Sequence, residues 1–398
     1  MTESNNFSFE TSIDEKENQN KEEVKEETTI KEETNFEAKE NSEHEEVNKE
    51  LEDFTNSAQS LFDQFISSKV ETLEVDKVEM IPTGLRILDA ILGGGIPLGR
   101  FVLLAGYPGG GKSTLAAKIL ANLQEKYKKD SLMTYLDSEQ TMSRFRLSQL
   151  GVNKPSITPK SGITVEKVFE LIEGICMFKD ENKITDIPTV VVWDSIANTP
   201  TEKDLVAKDV NETIGLKARI LSIGLPNIIT KLNEYNITLL AVNQLRDKLN
   251  IGMFSSPSDL RYMTDKDMPG GQSIKFNAAQ LLLLSHKQDL KKEQHGFDGA
   301  KVVCKTIKNK FFTPNIEIEL ALDFVNGFSD FWTSYLFLVD KKYIKTGAWN
   351  KLEGYDKNFR TKEALNYYND DPKFKETFDN LVEEAINTHI ISTYLNEK

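Results

Sequence analysis

The chain has 398 residues, a formal net charge of −14 and 39% hydrophobic residues, enough for two domains and a tail. No apolar run is long enough to cross a bilayer and no signal peptide opens the chain, so the expected setting is cytoplasmic rather than membrane-spanning or secreted. The two cysteines, Cys176 and Cys304, lie far apart in sequence, which argues against a disulfide framework or a cysteine metal site and suits buried thiols in a reducing compartment.

The charge is unevenly placed. Residues 1–53 hold 19 acidic and 6 basic side chains, a net of −13, which leaves the rest of the chain close to neutral. With few large apolar residues and a loose repeat (KEEVKEETTIKEET), this segment reads as a disordered or transiently helical tail. It is either a solvated appendage or an acidic arm that competes with an anionic ligand or docks a basic partner. The acidic pI does not argue against nucleic-acid binding by the body.

Residues 55–69 carry Leu61, Phe62, Phe65 and Ile66 at helical spacing, with Thr55 or Asn56 as a cap. The stretch VETLEVDKVEMIPTG then alternates like a strand. Together they form either a lid over the core or an arm on a neighbouring subunit. Leu88, Ile91 and Leu92 suit a packed helix ended by Gly93 to Gly95.

Phe101 to Ala105 is a short buried strand that runs into Gly106-Tyr107-Pro108-Gly109-Gly110-Gly111-Lys112-Ser113-Thr114. This fits G-x-x-x-x-G-K-[ST] at every fixed position, and LAAKILANLQEKY continues it as a helix. The bare pattern arises by chance in roughly one chain in a hundred of this length, so the strand and helix around it decide for a phosphate site. Glycines let backbone N–H groups face phosphate oxygens, and the helix adds its positive end. Lys112 would reach the β- and γ-phosphates, and Ser113 would hold Mg²⁺.

An α/β rhythm follows. Ser131 to Leu136 is a strand ending at Asp137-Ser138-Glu139, SRFRLSQLG a helix closed by Gly151, and Thr164 to Phe178 an amphipathic helix. Thr189 to Trp193 is a strand ending at Asp194, and residues 212–235 form a long helix with a break expected at Pro226. Ile237 to Val242 is a strand leading to Gln244, and Ala279 to Leu284 is another. Lys301 to Lys308 and Ile316 to Leu322 read as edge-type strands. Strands alternating with helices imply a mostly parallel sheet covered on both faces, with ligands at the carboxyl ends of the strands.

The polar residues at those ends carry chemistry. Asp194 ends an apolar run and would organise Mg²⁺ through water, opposite Ser113. A carboxylate at Glu139 can orient and partly deprotonate an attacking water, although a glutamate at a helix start also has a purely structural use. The Gln244 amide can hydrogen-bond a γ-phosphate and report its presence. Arg246 to Gly271 is a long segment mixing basic, apolar and glycine residues, which suits a nucleic-acid backbone.

The order and spacing of these stretches resemble the RecA family of recombinases, including the phage branch typified by UvsX. The resemblance rests on TGLRILDAILGGGIPLGR, the phosphate loop, YLDSE, VVVWDSIANTPT, ETIGLKARILS, VNQLRDKLNIGMF, GGQSIKF and VVCKTIKNK, spanning about residues 80–312. It implies that Lys112 and Ser113 bind triphosphate and Mg²⁺, that Glu139 is the catalytic glutamate, and that Gln244 couples the γ-phosphate to a second DNA loop. It places Ile214, Gly215, Arg219 and Ser222 on or beside a first DNA loop. Arg246, Lys248, Met253, Phe254, Gly270, Gly271 and Gln272 fall on or beside the second. Lys308 and Lys310 match lysines that reach the neighbouring subunit's ATP, and Phe276 matches an interface aromatic. By spacing alone the two lysines would be a solvated strand end.

Several features depart from the family pattern. The Tyr107-Pro108-Gly109-Gly110 interior differs from the polar one of cellular members. Arg146, next to Phe145, stands where an aromatic commonly covers the adenine. SDLRYMTDKDM lengthens the second loop, Pro226 replaces a basic residue, and the acidic segment is N-terminal rather than C-terminal.

The expected architecture is α/β: a RecA-like P-loop NTPase core at 83–330, an N-terminal oligomerisation helix and strand at 54–82, an acidic tail at 1–53 and a small α+β domain at 331–398. The expected function is a DNA-dependent ATPase that uses ATP and Mg²⁺, forms helical filaments on single-stranded DNA and pairs it with homologous duplex DNA. Single-strand-binding and loader proteins are further expected partners. A ring helicase, a regulatory ATPase of the same fold and an ATP-switched DNA-coating protein stay open as alternatives.

Overall fold

The computed structural model describes residues 78–153, 162–209, 213–247 and 266–395. The acidic tail, the helix expected at 55–69, most of the strand expected after it, and Lys248, Met253 and Phe254 lie outside the described residues, as does the side chain of Arg246.

One eight-stranded sheet organises residues 77–398, which form a single compact unit. Its strands are β1 (Phe101–Gly106), β2 (Leu132–Asp137), β3 (Thr189–Asp194), β4 (Ile237–Gln244), β5 (Gln280–Leu290), β6 (Gly299–Asn309), β7 (Glu317–Asp323) and β8 (Gly327–Phe328). The spatial order is β8-β7-β6-β5-β1-β4-β3-β2. From β5 to β2 every pairing is parallel, and β6, β7 and β8 add an antiparallel extension. The chain leaves β1 for the far edge, returns through β3 and β4, and crosses β1 to β5. That reversal puts a crevice at the carboxyl end of β1.

The uninterrupted apolar runs follow from burial on both faces. Val102 and Leu104 enter one core with α1 (Arg86–Leu92) and α2 (Lys112–Tyr127). Phe101, Leu103 and Ala105 enter the other, with α4 (Val165–Asn182) and α5 (Leu216–Glu234). The short helix α3 (Arg144–Gln149) follows β2, and α6 (Ser273–Asn277) precedes β5. Gly93 ends α1 at φ 80°, a left-handed cap that a side chain resists.

Three expectations need correction. Strand β6, expected at an edge, is interior, pairing with β5 on one side and β7 on the other. Helix α5 is continuous through Pro226. The proline sits on the exposed side, where water can satisfy the carbonyl that its missing N–H abandons. Strand β5 runs to Leu290 rather than stopping at Leu284.

Beyond β8, α7 (Asp330–Asp340) packs on β7 and α1. Helices α8 (Ala364–Asp370) and α9 (Pro372–Ile386) join it through an aromatic cluster of Phe331, Tyr368, Phe374 and Phe378. These residues share a core with the α1/α2 face of the sheet. Arg86 fastens the junction: its backbone N–H and Nε donate to Asp330, and Nη1 donates to Asp379 at 2.7 Å. Among the described residues no helix is long and apolar enough to cross a membrane.

Candidate nucleotide site and the loops around it

Strand β1 delivers the phosphate loop to the crevice. A Cβ on Gly106 would stand 2.0 Å from the Leu284 carbonyl oxygen, so β1 and β5 approach there as only glycine allows. Gly109 and Gly111 hold φ of 79° and 76°, turning the chain into α2. A Cβ on Gly109 would meet nothing within 4 Å, which leaves the loop's mouth open. No side chain caps α2, so its first-turn N–H groups remain to receive an anion. Lys112 is buried and its Nζ donates to the Tyr107 carbonyl at 2.9 Å. Burial lowers its pKa, while Asp194 and Glu139 pull the other way.

Asp194, at the end of β3, is 2% exposed. Tyr135 donates its hydroxyl to Oδ2 at 2.6 Å, and Oδ1 is buried without a hydrogen-bond partner. Burial raises the Asp194 pKa; the neighbouring Ser113 and Tyr135 hydroxyls favour the charged form, and Glu139 and Asp137 oppose it. A buried carboxylate oxygen facing the first turn of α2 is the chemistry a hydrated divalent cation would satisfy.

Glu139 follows β2. Its backbone N–H is held by Asp137 Oδ1 at 3.1 Å, and Asp137 Oδ2 also takes the Met142 N–H at 2.7 Å. Gln244 Nε2 donates to Glu139 Oε1 at 2.7 Å, so the carboxylate and the root of the long segment touch directly. Strand register explains the meeting: Gly106 pairs with Gln244, and Asp137 pairs with Asp194. Lys112, Ser113, Glu139, Asp194 and Gln244 therefore share one edge of the sheet. Arg146 lies farther out, with its guanidinium on the carbonyls of Val325 and Phe324 at 2.7 and 3.1 Å. Phe145 beside it is 73% exposed. Thr114 packs near Gly327, where an added Cβ would come within 3.3 Å of it.

The long segment is closed at its base. Arg246 pairs with Asp267, and Asp247 with Lys266. Asn243 Nδ2 donates to the Pro269 carbonyl at 2.8 Å, and the Leu245 N–H reaches the Gly106 carbonyl at 3.1 Å. Gly270 and Gly271 then press against α5: a Cβ on either would come within 2.8 Å of Leu221 Cδ1 or 3.1 Å of Ala218 Cβ. Gln272 is exposed and opens α6. On α5, Gly215 is the N-cap, and Arg219, Ser222 and Pro226 lie exposed on one stripe, with Ile214 74% exposed just before it. The two candidate DNA segments thus meet on one helix.

Lys308 and Lys310 lie elsewhere. Lys308 pairs with Leu281, three residues back along β5 from the partner of Gly106. That is roughly 10 Å along the strands, toward their amino ends. Lys308 Nζ donates to the Phe276 and Lys275 carbonyls at 2.6 and 3.2 Å, closing the end of α6, and burial lowers its pKa. Lys310 and Phe276 are exposed. Asn309, between the lysines, points inward and donates to the Ile91 and Leu92 carbonyls.

A family model described as RecA N-terminal domain matches residues 56–329. The chain belongs to the RecA family. It is 28% identical to a RecA protein of Crocosphaera subtropica over 323 residues, 81% of this chain and 87% of that protein. RecA proteins of Streptomyces rimosus (27% over 313 residues, 78% of each chain) and Thermus thermophilus (28% over 280 residues, 70% and 77%) are similar in the same way. As a RecA-type recombinase it is a DNA-dependent ATPase that binds ATP.

Sequence reasoning passed over four residues around this RecA-family edge: Tyr135, Ser195, Asn198 and Asn243. Tyr135 sits within an apolar strand, where nothing marks its hydroxyl. Ser195, Asn198 and Asn243 each lie within four residues of an acid or amide already singled out. That position, at the carboxyl end of a parallel strand, was the available signal.

Proposed function

We propose that this RecA-family member forms helical filaments on single-stranded DNA, with Mg²⁺·ATP held between successive subunits, and pairs that DNA with homologous duplex. The observation that carries the reading is the 2.7 Å bond from Gln244 to Glu139, which joins a hydrolytic carboxylate to the root of a candidate DNA segment. Residues 106–114 would hold the triphosphate, Lys112 its β- and γ-phosphates, and Ser113 with the unpartnered Asp194 oxygen the hydrated cation. Bound Mg²⁺ neutralises charge on the phosphates. Glu139 orients water and accepts its proton as the water oxygen bonds the γ-phosphorus and the bridging oxygen leaves with ADP. Gln244 senses the γ-phosphate and passes its presence to the segment it anchors. Arg146, near Phe145, lies toward the base.

Lys308 and Lys310 sit away from their own phosphate loop, which suits service to a neighbour's nucleotide. A head-to-tail contact of that kind makes a helix when its rotation does not close into a ring. Ile214, Arg219, Ser222, Gly270, Gly271 and Gln272, with Arg246, Lys248, Met253 and Phe254, form the DNA face, where phosphate contacts give affinity without sequence preference. Kinship with the phage UvsX-type branch rests on the sequence motifs. Free, buried Cys176 and Cys304 suit a cytoplasmic setting, where single-strand-binding and loader proteins would act.

ATP turnover measured with and without single-stranded DNA, alongside negative-stain microscopy with a non-hydrolysable analogue, tests the reading. DNA-stimulated turnover and helical filaments are expected. DNA-independent turnover or closed rings alone would overturn it.

A further inference from the structure

Three donors converge on one oxygen of Glu139. Oε1 accepts from Asn198 Nδ2 at 2.7 Å, from Gln244 Nε2 at 2.7 Å and from Ser195 Oγ at 2.9 Å. No described residue donates to Oε2. An asparagine oxygen facing a carboxylate would be repelled, so the Asn198 amide has one workable orientation.

The donors differ in how firmly they are held. Ser195 and Asn198 occupy the turn after β3, which is tied on every side. The Ser195 N–H donates to Ser138 Oγ at 2.9 Å, the Ile196 N–H to the Val242 carbonyl at 2.9 Å, and Thr199 Oγ1 to the Ser195 carbonyl at 2.8 Å. Trp193 Nε1 in turn fixes Thr199 at 2.7 Å. Gln244 instead stands where β4 gives way to the long segment.

We infer that Asn198, supported by Ser195, is a positioning residue for the glutamate. These two donors hold Oε1 whether or not Gln244 stays, and so keep Oε2 aimed at the attacking water while Gln244 is free to leave for a phosphate oxygen. The inference rests on the reading of Glu139 as the water-orienting carboxylate. It assigns to the turn after β3 a task beyond supplying Asp194. It also explains why an exposed asparagine spends its amide on a carboxylate that already has two other donors.

The test is steady-state and single-turnover ATP hydrolysis by the full chain on single-stranded DNA. Asn198→Ala should lower kcat about tenfold and leave the KM for ATP within about twofold, because a misaimed base impairs the chemical step and not binding. Asn198→Asp should lose more, since it sets a second anion against Glu139. In a Glu139→Gln background, Asn198→Ala should change nothing further. An unchanged kcat in the single variant, or the same tenfold loss on top of Glu139→Gln, overturns the inference and leaves Glu139 in its role. Wild-type hydrolysis by Glu139→Gln alone overturns the reading of the glutamate itself, and the inference with it.

Discussion

At the scale of single residues, the site holds charge that the fold does not neutralise by itself. Asp194 keeps one buried oxygen unpaired and burial raises its pKa. A carboxylate raised in this way favours the fold when protonated, so its ionised form weakens the nucleotide-free protein at neutral pH. Asp194→Asn should therefore raise the melting temperature of the nucleotide-free protein, by roughly 1–2 °C per kcal/mol for a folded body of this length, while abolishing hydrolysis. Calorimetry beside an ATPase assay would read both, and a lower melting temperature would contradict the argument. Asp89 makes a similar case away from the site. Burial lifts its pKa to about 6, although its Oδ1 accepts the Thr83 N–H at 2.8 Å. Its stabilising contribution is complete below the ordinary carboxylate value and is lost as pH rises through about 6. Asp89→Asn keeps an acceptor for Thr83, so melting from pH 5 to 7.5 should show a smaller decline with rising pH than wild type. Of these residues, the sequence displays Lys112, Glu139, Asp194 and Gln244 because each ends a strand or loop in a pattern phosphate chemistry requires. Tyr135 stays hidden, since only strand register brings its hydroxyl to the Asp194 carboxylate.

At the scale of elements, apolar runs at 101–105, 189–193 and 237–242 announced the buried strands because both faces of the sheet are covered. The same logic fails for the outer half of β5. Ser285 to Asp289 is polar and largely exposed, and backbone pairing with β6 alone makes it a strand. Pro226 misleads for the opposite reason: an exposed proline on a helix whose other side is buried removes one bond without unseating the packing. Among the contacts between elements, those of Gly270 and Gly271 against α5 tie the two proposed DNA segments together. The φ of 99° at Gly270 and its 2.8 Å approach to Leu221 both resist a side chain. Gly270→Ala should blunt DNA stimulation of hydrolysis while nucleotide binding persists, measured as turnover with and without DNA beside binding of a fluorescent ATP analogue. Full stimulation in the variant would separate the two segments functionally. Lys308 caps α6 through two carbonyls, so any move of this lysine toward a neighbour also releases the helix that follows Gly270-Gly271.

At the scale of the whole molecule, the phosphate loop and the Lys308–Lys310 pair lie toward opposite ends of the central strands. No reading of composition or periodicity places them so; it follows from the antiparallel return of β6 on β5. If each active site takes its loop from one subunit and its lysines from the next, two dead variants should rescue each other. Lys112→Ala mixed in equal parts with Lys308→Ala/Lys310→Ala should recover about a quarter of wild-type turnover, the share of random neighbours that assemble an intact pair. No recovery would mean that each chain works alone. The N-terminal 53 residues carry −13 net charge against a nearly neutral body. Their removal should speed DNA loading most at low salt, where the Debye length is long, as stopped-flow mixing would show. An assembly built in this way also has two chemically different tips. At one, the last subunit holds a nucleotide site that no lysines complete; at the other, lysines stand with no nucleotide to serve. Hydrolysis is then slowest in the subunit at the first tip, which acts as a brake on shortening there. Growth and loss become properties of different ends, and the polymer acquires a direction before any DNA sequence has been read.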